Sequence, residues 1–128
     1  MFDVSRPFDL EDRTLLFSTE IIQLIKLLPK NSVNFRLCDQ LVRSVTSIGA
    51  NLREANEKLS KKDFLLRMKI SRKEIKESEY WLKLLSTANE DFSSQFNFAI
   101  NETVELRKIF SKIIDKSENP LKVEGQKF

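Results

Sequence analysis

Lys62, Lys69, Lys76 and Lys83 recur every seven residues, with Arg72 and Lys73 alongside. Side chains at this spacing fall on one side of an α-helix, because seven residues make nearly two turns. A row of ammonium groups on a helix can neutralise phosphates and release their counterions. The candidate nucleic-acid contacts are Lys58, Lys61, Lys62, Lys69, Arg72, Lys73, Lys76 and Lys83. Between Lys58 and Lys76 there are eight basic residues against Asp63 and Glu74, in a chain whose net charge is +3. The same residues also fit a solvated face beside Glu74, Glu77 and Glu79. No aromatic residue is interleaved in the run, so base stacking on a single strand is not expected.

Other chemistry is largely excluded by composition. The chain has no His and a single Cys, Cys38. Serine and cysteine triads need a general base, usually His, and a zinc site needs about four ligands. No catalytic residue, metal site or cofactor is expected, and the chain reads as a non-enzyme. No disulfide can close within it, which fits a reducing cytoplasm. Cys38, next to Leu37, reads as a small, partly buried filler. Asn51 and Glu54 read as local hydrogen-bonding groups, since one carboxylate without a paired acid or nucleophile makes no mechanism. The first residues show no secretory signal, and no apolar run approaches ~20 residues, so no membrane span is expected.

The elements that carry these residues read as helices. Only 2 Gly and 3 Pro occur in 128 residues, too few for the many turns of a sheet protein. The length fits one domain, an all-α antiparallel up-down four-helix bundle. Its helices are expected over about 10–28, 34–57, 61–88 and 94–116, with a loose tail over 117–128. Asp9 is a candidate N-cap of the first helix, Pro29 ends it, and Ser60 to Asp63 resembles a capping box. Apolar or small residues step by three and four along each later helix: Leu37, Leu41, Val45, Ile48, Leu52 and Ala55; then Phe64, Met68, Ser71, Ile75, Ser78, Leu82 and Leu85; then Phe96, Ala99, Thr103, Leu106, Phe110 and Ile113. Such steps make the seam of a bundle. With a turn at residues 57–60, Leu41 is expected to face Ile75, Ser44 to face Ser71, and Ile48 to face Met68.

Helix 3 carries more apolar side chains than its seam requires. Leu66, Ile70, Trp81 and Leu84 cluster away from it and form the candidate oligomer interface. The first helix is also widely apolar, with Phe17, Ile21, Leu24, Ile25 and Leu28. The alternative is that long side chains wrap a thick bundle. Ser44, Ser47, Gly49 and Ala50 are small and would let helix 2 approach its neighbours closely. Gly49 costs ~1 kcal/mol against Ala inside a helix, which close contact would offset.

Several segments together resemble a known family. They are Asp9-Leu10-Glu11-Asp12-Arg13-Thr14, Leu28-Pro29-Lys30, Gln40 to Ala55 (with Ser47-Ile48-Gly49-Ala50-Asn51 at its centre), Ser60-Lys61-Lys62-Asp63-Phe64 and Glu79-Tyr80-Trp81-Leu82. The chain resembles, over about residues 9 to 115, the four-helix-bundle proteins encoded in intervening sequences of bacterial 23S ribosomal RNA genes. The resemblance implies cytoplasmic homopentamers of antiparallel bundles. It also implies kinship with accessory proteins of diversity-generating retroelements, in which a basic surface contacts nucleic acid and a reverse transcriptase. This chain's +3 is lower than the charge of those relatives. On the basic row and this resemblance, the expected function is a non-enzymatic oligomeric accessory protein contacting RNA or DNA through helix 3. A protein-binding scaffold without nucleic-acid contact is the alternative.

Overall fold

The computed structural model describes residues 10–57 and 60–120. Asp9 and Lys58, and the tail beyond Pro120, lie outside the described residues. Four helices follow in order: α1 (Leu10–Ile25), α2 (Ser32–Ala55), α3 (Lys61–Ala88) and α4 (Ser93–Glu118). No strand occurs among the described residues, and the architecture is an all-α four-helix bundle.

The helix ends follow from identifiable side chains. α1 stops as a helix at Ile25, earlier than the apolar spacing suggests. Its chain continues to Leu28 in a tightened turn in which the Leu27 and Leu28 amides donate to the carbonyls of Leu24 and Ile25. Pro29 then bars continuation. α2 starts before Asn34 because the Asn31 side chain caps it, accepting from the Asn34 amide at 2.9 Å. Ser60 caps α3 by accepting from the Asp63 amide at 3.2 Å, and its hydroxyl donates to the Asp63 carboxylate at 3.0 Å. This is half a capping box, because Asp is too short to reach back to the Ser60 amide. A short 3-10 turn, Glu90–Phe92, leads into α4. α4 runs through Glu118, so residues 117 and 118 are helical rather than part of a loose tail.

The seam residues form the core. Leu41, Ile48, Ile75, Leu82, Leu85, Phe96, Leu106 and Phe110 are fully buried. On α4 the last seam position is Ile114, not Ile113, which is only half-buried. The step from Phe110 is four residues there, which keeps the stripe in line with the 3.6-residue turn. α3 is the central element, packed on α2 at one side and α4 at the other, and α1 lies chiefly against α2.

Gly49 permits the α1–α2 approach. A Cβ at this position would lie 3.2 Å from the Thr14 hydroxyl oxygen and 3.6 Å from its Cβ. One turn earlier, the Ser18 hydroxyl donates to the Val45 carbonyl at 3.3 Å. On the α3 side, the Ser44 hydroxyl lies 2.8 Å from that of Ser78.

That last contact corrects the expected register. Ser44 meets Ser78 rather than Ser71, and Ser71 donates to the Ile48 carbonyl at 2.9 Å. Leu41, Ile48, Met68 and Ile75 all remain buried. From Arg43–Glu74 to Ser44–Ser78, the contacts between the two helices pair α2 residues with residues one to six positions further along α3 than a register counted symmetrically about the turn. The reason is side-chain direction. Helical side chains lean toward their own N-terminus, so in an antiparallel pair the tips lean opposite ways. A residue of α2 therefore meets one lying further along α3 than its Cα position suggests.

The end of the bundle away from the α2–α3 turn is tied by two amides. Asn34 and Asn89 are both buried and exchange reciprocal hydrogen bonds of 2.8 Å. Asn34 also donates to the Pro29 carbonyl, and Asn89 to that of Leu85. One buried pair thus joins the α1–α2 turn to the end of α3.

Candidate nucleic-acid interface

α3 presents one edge to α2 and the other to α4, and its basic residues divide accordingly. Lys61, Lys62, Lys69, Lys73, Lys76 and Lys83 are exposed, and Arg72 is half-buried. Three of the expected contacts are engaged elsewhere. Lys69 pairs with Glu118 at 2.6 Å, Lys83 with Glu79 at 3.2 Å, and Arg72 donates to the Ser111 hydroxyl at 3.4 Å. Lys69 and Arg72 reach toward α4 and help dock it, whereas the Lys83–Glu79 pair lies within α3. Lys61, Lys62, Lys73 and Lys76 make no ion pair among the described residues. The expected stripe is thus narrower in charge than in sequence.

The α2 edge of this face carries an ion cluster. Arg43 donates to Glu77 at 2.8 Å and to Glu74 at 3.4 Å. Burial pushes the Glu74 carboxyl above the ordinary range, with its hydrogen bond and repulsion from Glu77 adding to the effect. The hydrogen bond from Arg43 holds Glu77 below that range. A turn or two along, Asn51 accepts from Arg67 at 3.0 Å and donates to the Ser47 carbonyl at 2.9 Å. Asn51 therefore makes its local bond and also ties α2 to α3. Glu54 is exposed.

An aromatic group lies on the basic face after all. Tyr80 follows Lys62 by a whole number of turns at 3.6 residues per turn, and it is 58% exposed. Its ring meets Trp81 edge to face, with centroids 5.1 Å apart. With Gln40 and Arg43 of α2 and Lys73, Lys76 and Glu77 of α3, the two rings line an open cleft of about 500 Å³. The periodicity of Tyr80 was readable from the sequence. The contribution of Gln40 and Arg43 was not, because it depends on the register between helices.

The candidate interface residues do not share one environment. Leu66 is 56% exposed, Ile70 and Leu84 are half-buried, and Trp81 packs against the core. The Trp81 indole N–H is buried without a hydrogen-bond partner. Further exposed apolar side chains lie elsewhere: Leu15 and Ile22 on α1, Leu27 in the turn after it, Val33 and Phe35 at the start of α2, and Phe98 on α4. Leu27 and Phe98 border a cleft of about 500 Å³ between α1 and α4, floored by Phe17, Ile21, Leu24 and Ala99.

Cys38 is half-buried, and desolvation raises its thiol above the ordinary value, the opposite of an activated nucleophile. Among the described residues no three His, Cys, Asp or Glu side chains are grouped to hold a metal ion. No helix among them is long and apolar enough to cross a membrane.

The family model of the 23S rRNA-intervening sequence proteins matches residues 8–112. Among solved structures, the chain is similar to a protein of unknown function of the S23 ribosomal protein family from Bacteroides thetaiotaomicron. The two share 37% identity and superpose with a TM-score of 0.74, over 82% of this chain and 97% of the other. No curated protein matches the chain.

Proposed function

The chain belongs to the 23S rRNA-intervening sequence protein family, and we propose that it is a non-enzymatic, self-associating accessory protein that holds nucleic acid by its phosphates. The observation that carries this reading is the outer face of α3. Lys62, Lys73 and Lys76 are exposed there and make no ion pair among the described residues, while neighbouring basic groups are committed to carboxylates. Free ammonium groups on a rigid helix are suited to phosphate contacts that fix position but carry little base information. The names of the family and of the similar structure, 23S rRNA-intervening sequence and S23 ribosomal protein, support a setting near ribosomal RNA.

Self-association strengthens such a weak face. Several copies of α3 acting on one polyanion gain by effective concentration without any new contact. The exposed apolar side chains on α1, α3 and α4 are candidates for the contacts between copies. Five chains is the number that family resemblance favours.

The test is a salt titration of fluorescence anisotropy with duplex DNA, structured RNA and single strands. Affinity is expected to fall linearly on a log–log scale as salt rises. Changing Lys62, Lys73 and Lys76 together to Glu is expected to abolish binding while helical content and mass stay unchanged. Absence of binding at ~50 mM salt, or a triple variant that binds as the parent does, overturns the reading. In that event the cleft between α1 and α4, flanked by exposed Leu27 and Phe98, favours a second reading, a scaffold that binds a partner protein. Light scattering tests the assembly: the mass is expected to be several times 15.0 kDa.

A further inference from the structure

The cleft under Tyr80 joins three features, two of them additional to the lysine row. The first is free positive charge. Lys73 and Lys76 stand at its wall without an ion pair among the described residues. Arg43, on the opposite wall, is already held by Glu77 and Glu74, so it neutralises the one carboxylate that lines the cleft. The second is a flat, accessible ring. Tyr80 is more than half exposed, and the edge-to-face contact with Trp81 fixes the ring from one side. The third is a second aromatic ring. Trp81 lines the cleft, and its N–H is the buried side-chain polar atom left without a partner among the described residues. Gln40 adds a neutral amide able to donate and accept.

We propose that this cleft takes one unpaired nucleotide of an RNA or DNA strand, its base stacked on Tyr80 and its phosphate between Lys73 and Lys76. The proposal rests on the phosphate-binding reading above and sharpens it to strands with unstacked bases. Lysines alone do not distinguish duplex from single strand. An aromatic platform does, because only an unpaired base can leave its own stack to lie on a side chain. The cleft is open at the surface, and the lysine row continues from it along α3 to Lys62.

Trp81 is the sole tryptophan of the chain, so its fluorescence reports on this cleft directly. The experiment titrates the full-length protein with a dT12 strand, a U12 strand and a 12-base-pair duplex, reading both Trp81 emission and anisotropy of labelled strands. The parent is expected to bind both single strands with a change in Trp81 emission, and the duplex without one. Tyr80→Ala is expected to weaken single-strand binding roughly ten-fold or more and to leave duplex binding within about two-fold, since stacking acts per unpaired base. Tyr80→Trp or Tyr80→Phe should restore it. Mass and helical content, measured on each variant, should not change.

Three outcomes overturn the proposal. Tyr80→Ala could bind single strands as the parent does, could lose duplex and single strand alike, or could change the mass, which would make Tyr80 a contact between copies. In each of these the parent still binds nucleic acid, so only the cleft is lost. A parent that binds none of the three at ~50 mM salt removes the phosphate-binding reading and the cleft together. A difference between dT12 and U12 separates a DNA from an RNA preference, the two strands differing in the 2′-hydroxyl and in the C5 methyl.

Discussion

The hydroxyls of Ser44 and Ser78 lie 2.8 Å apart in the middle of the α2–α3 interface, and neither residue has any exposed surface. Ser44 is also 3.2 Å from the Leu41 carbonyl and can donate to it. With that bond made, the Ser78 hydroxyl is the donor between the two serines. Each group then has a partner, which a buried hydroxyl requires. Changing Ser44 to Ala is expected to cost about 1 kcal/mol, and Ser78 to Ala a similar amount. The double change should cost less than the two together, because no hydroxyl is then left unpaired. Urea unfolding of the four proteins at one concentration measures this. Strict additivity would show that the two side chains do not interact.

Gly49 and Thr14 set up a second coupling. Gly49→Ala should gain ~1 kcal/mol of helix propensity, but the new methyl would sit 3.2 Å from the Thr14 hydroxyl oxygen. That hydroxyl is fixed by donation to the Glu11 carbonyl, and Thr14 is buried. In the parent the two effects are expected to offset, leaving a change within about 1 kcal/mol. In a Thr14→Ala background the obstructing oxygen is gone, so Gly49→Ala should stabilise by nearly the full propensity gain. An equal effect in both backgrounds would remove the steric reading.

The paired amides at the far end predict a pH effect. Asn34→Ala should cost ~1–3 kcal/mol, since Asn89 loses a buried partner. For a domain of this size that is a fall in melting temperature of several degrees. Asn89→Asp places a carboxyl where a donor to Leu85 is needed. Its folded pKa should be raised, because only the protonated form can donate and burial disfavours the charge. The penalty should therefore be small in acid and grow as pH rises above about 4. A penalty that is the same at both ends of this range would contradict the assigned hydrogen bonds.

Glu118 at the end of α4 offers a direct readout of α4 docking. The hydrogen bond from Lys69 holds its carboxyl below the ordinary glutamate range, with the charges of Lys69, Arg72 and Lys61 adding to this. A lowered folded pKa means that the pairing contributes above the unfolded value of about 4.3 and is lost as pH falls through the folded one. Carboxyl-detected NMR should find Glu118 titrating below the other exposed glutamates, and Lys69→Ala should return it to the ordinary range. An unchanged titration would mean that the ion pair does not persist in solution.

The number of helices, their approximate extents and the residues of the core were legible from the sequence, because helical periodicity is a local property. Phe96, Leu106, Met68 and Ile75 are buried because they recur every three or four residues, and no neighbouring helix is needed to see that. The ends were less legible where tertiary and capping groups decide them. Asn31 starts α2 early, and the Lys69–Glu118 pair lies beyond the point where spacing alone would end α4. The candidate site was legible only in part. The seven-residue recurrence placed the lysines on one side of α3, and Tyr80 shares their direction by the same rule. Which of them are free was decided by the neighbours, because charge pairing depends on groups distant in the chain: Glu118 takes Lys69 and Ser111 meets Arg72 across the α3–α4 groove. The slide of α3 along α2 likewise decided that Ser44 meets Ser78 and that Arg43 and Gln40 face Tyr80. Periodicity fixes the direction in which a side chain leaves its own helix, whereas its partner depends on how two helices slide past one another, and packing across the whole interface sets that.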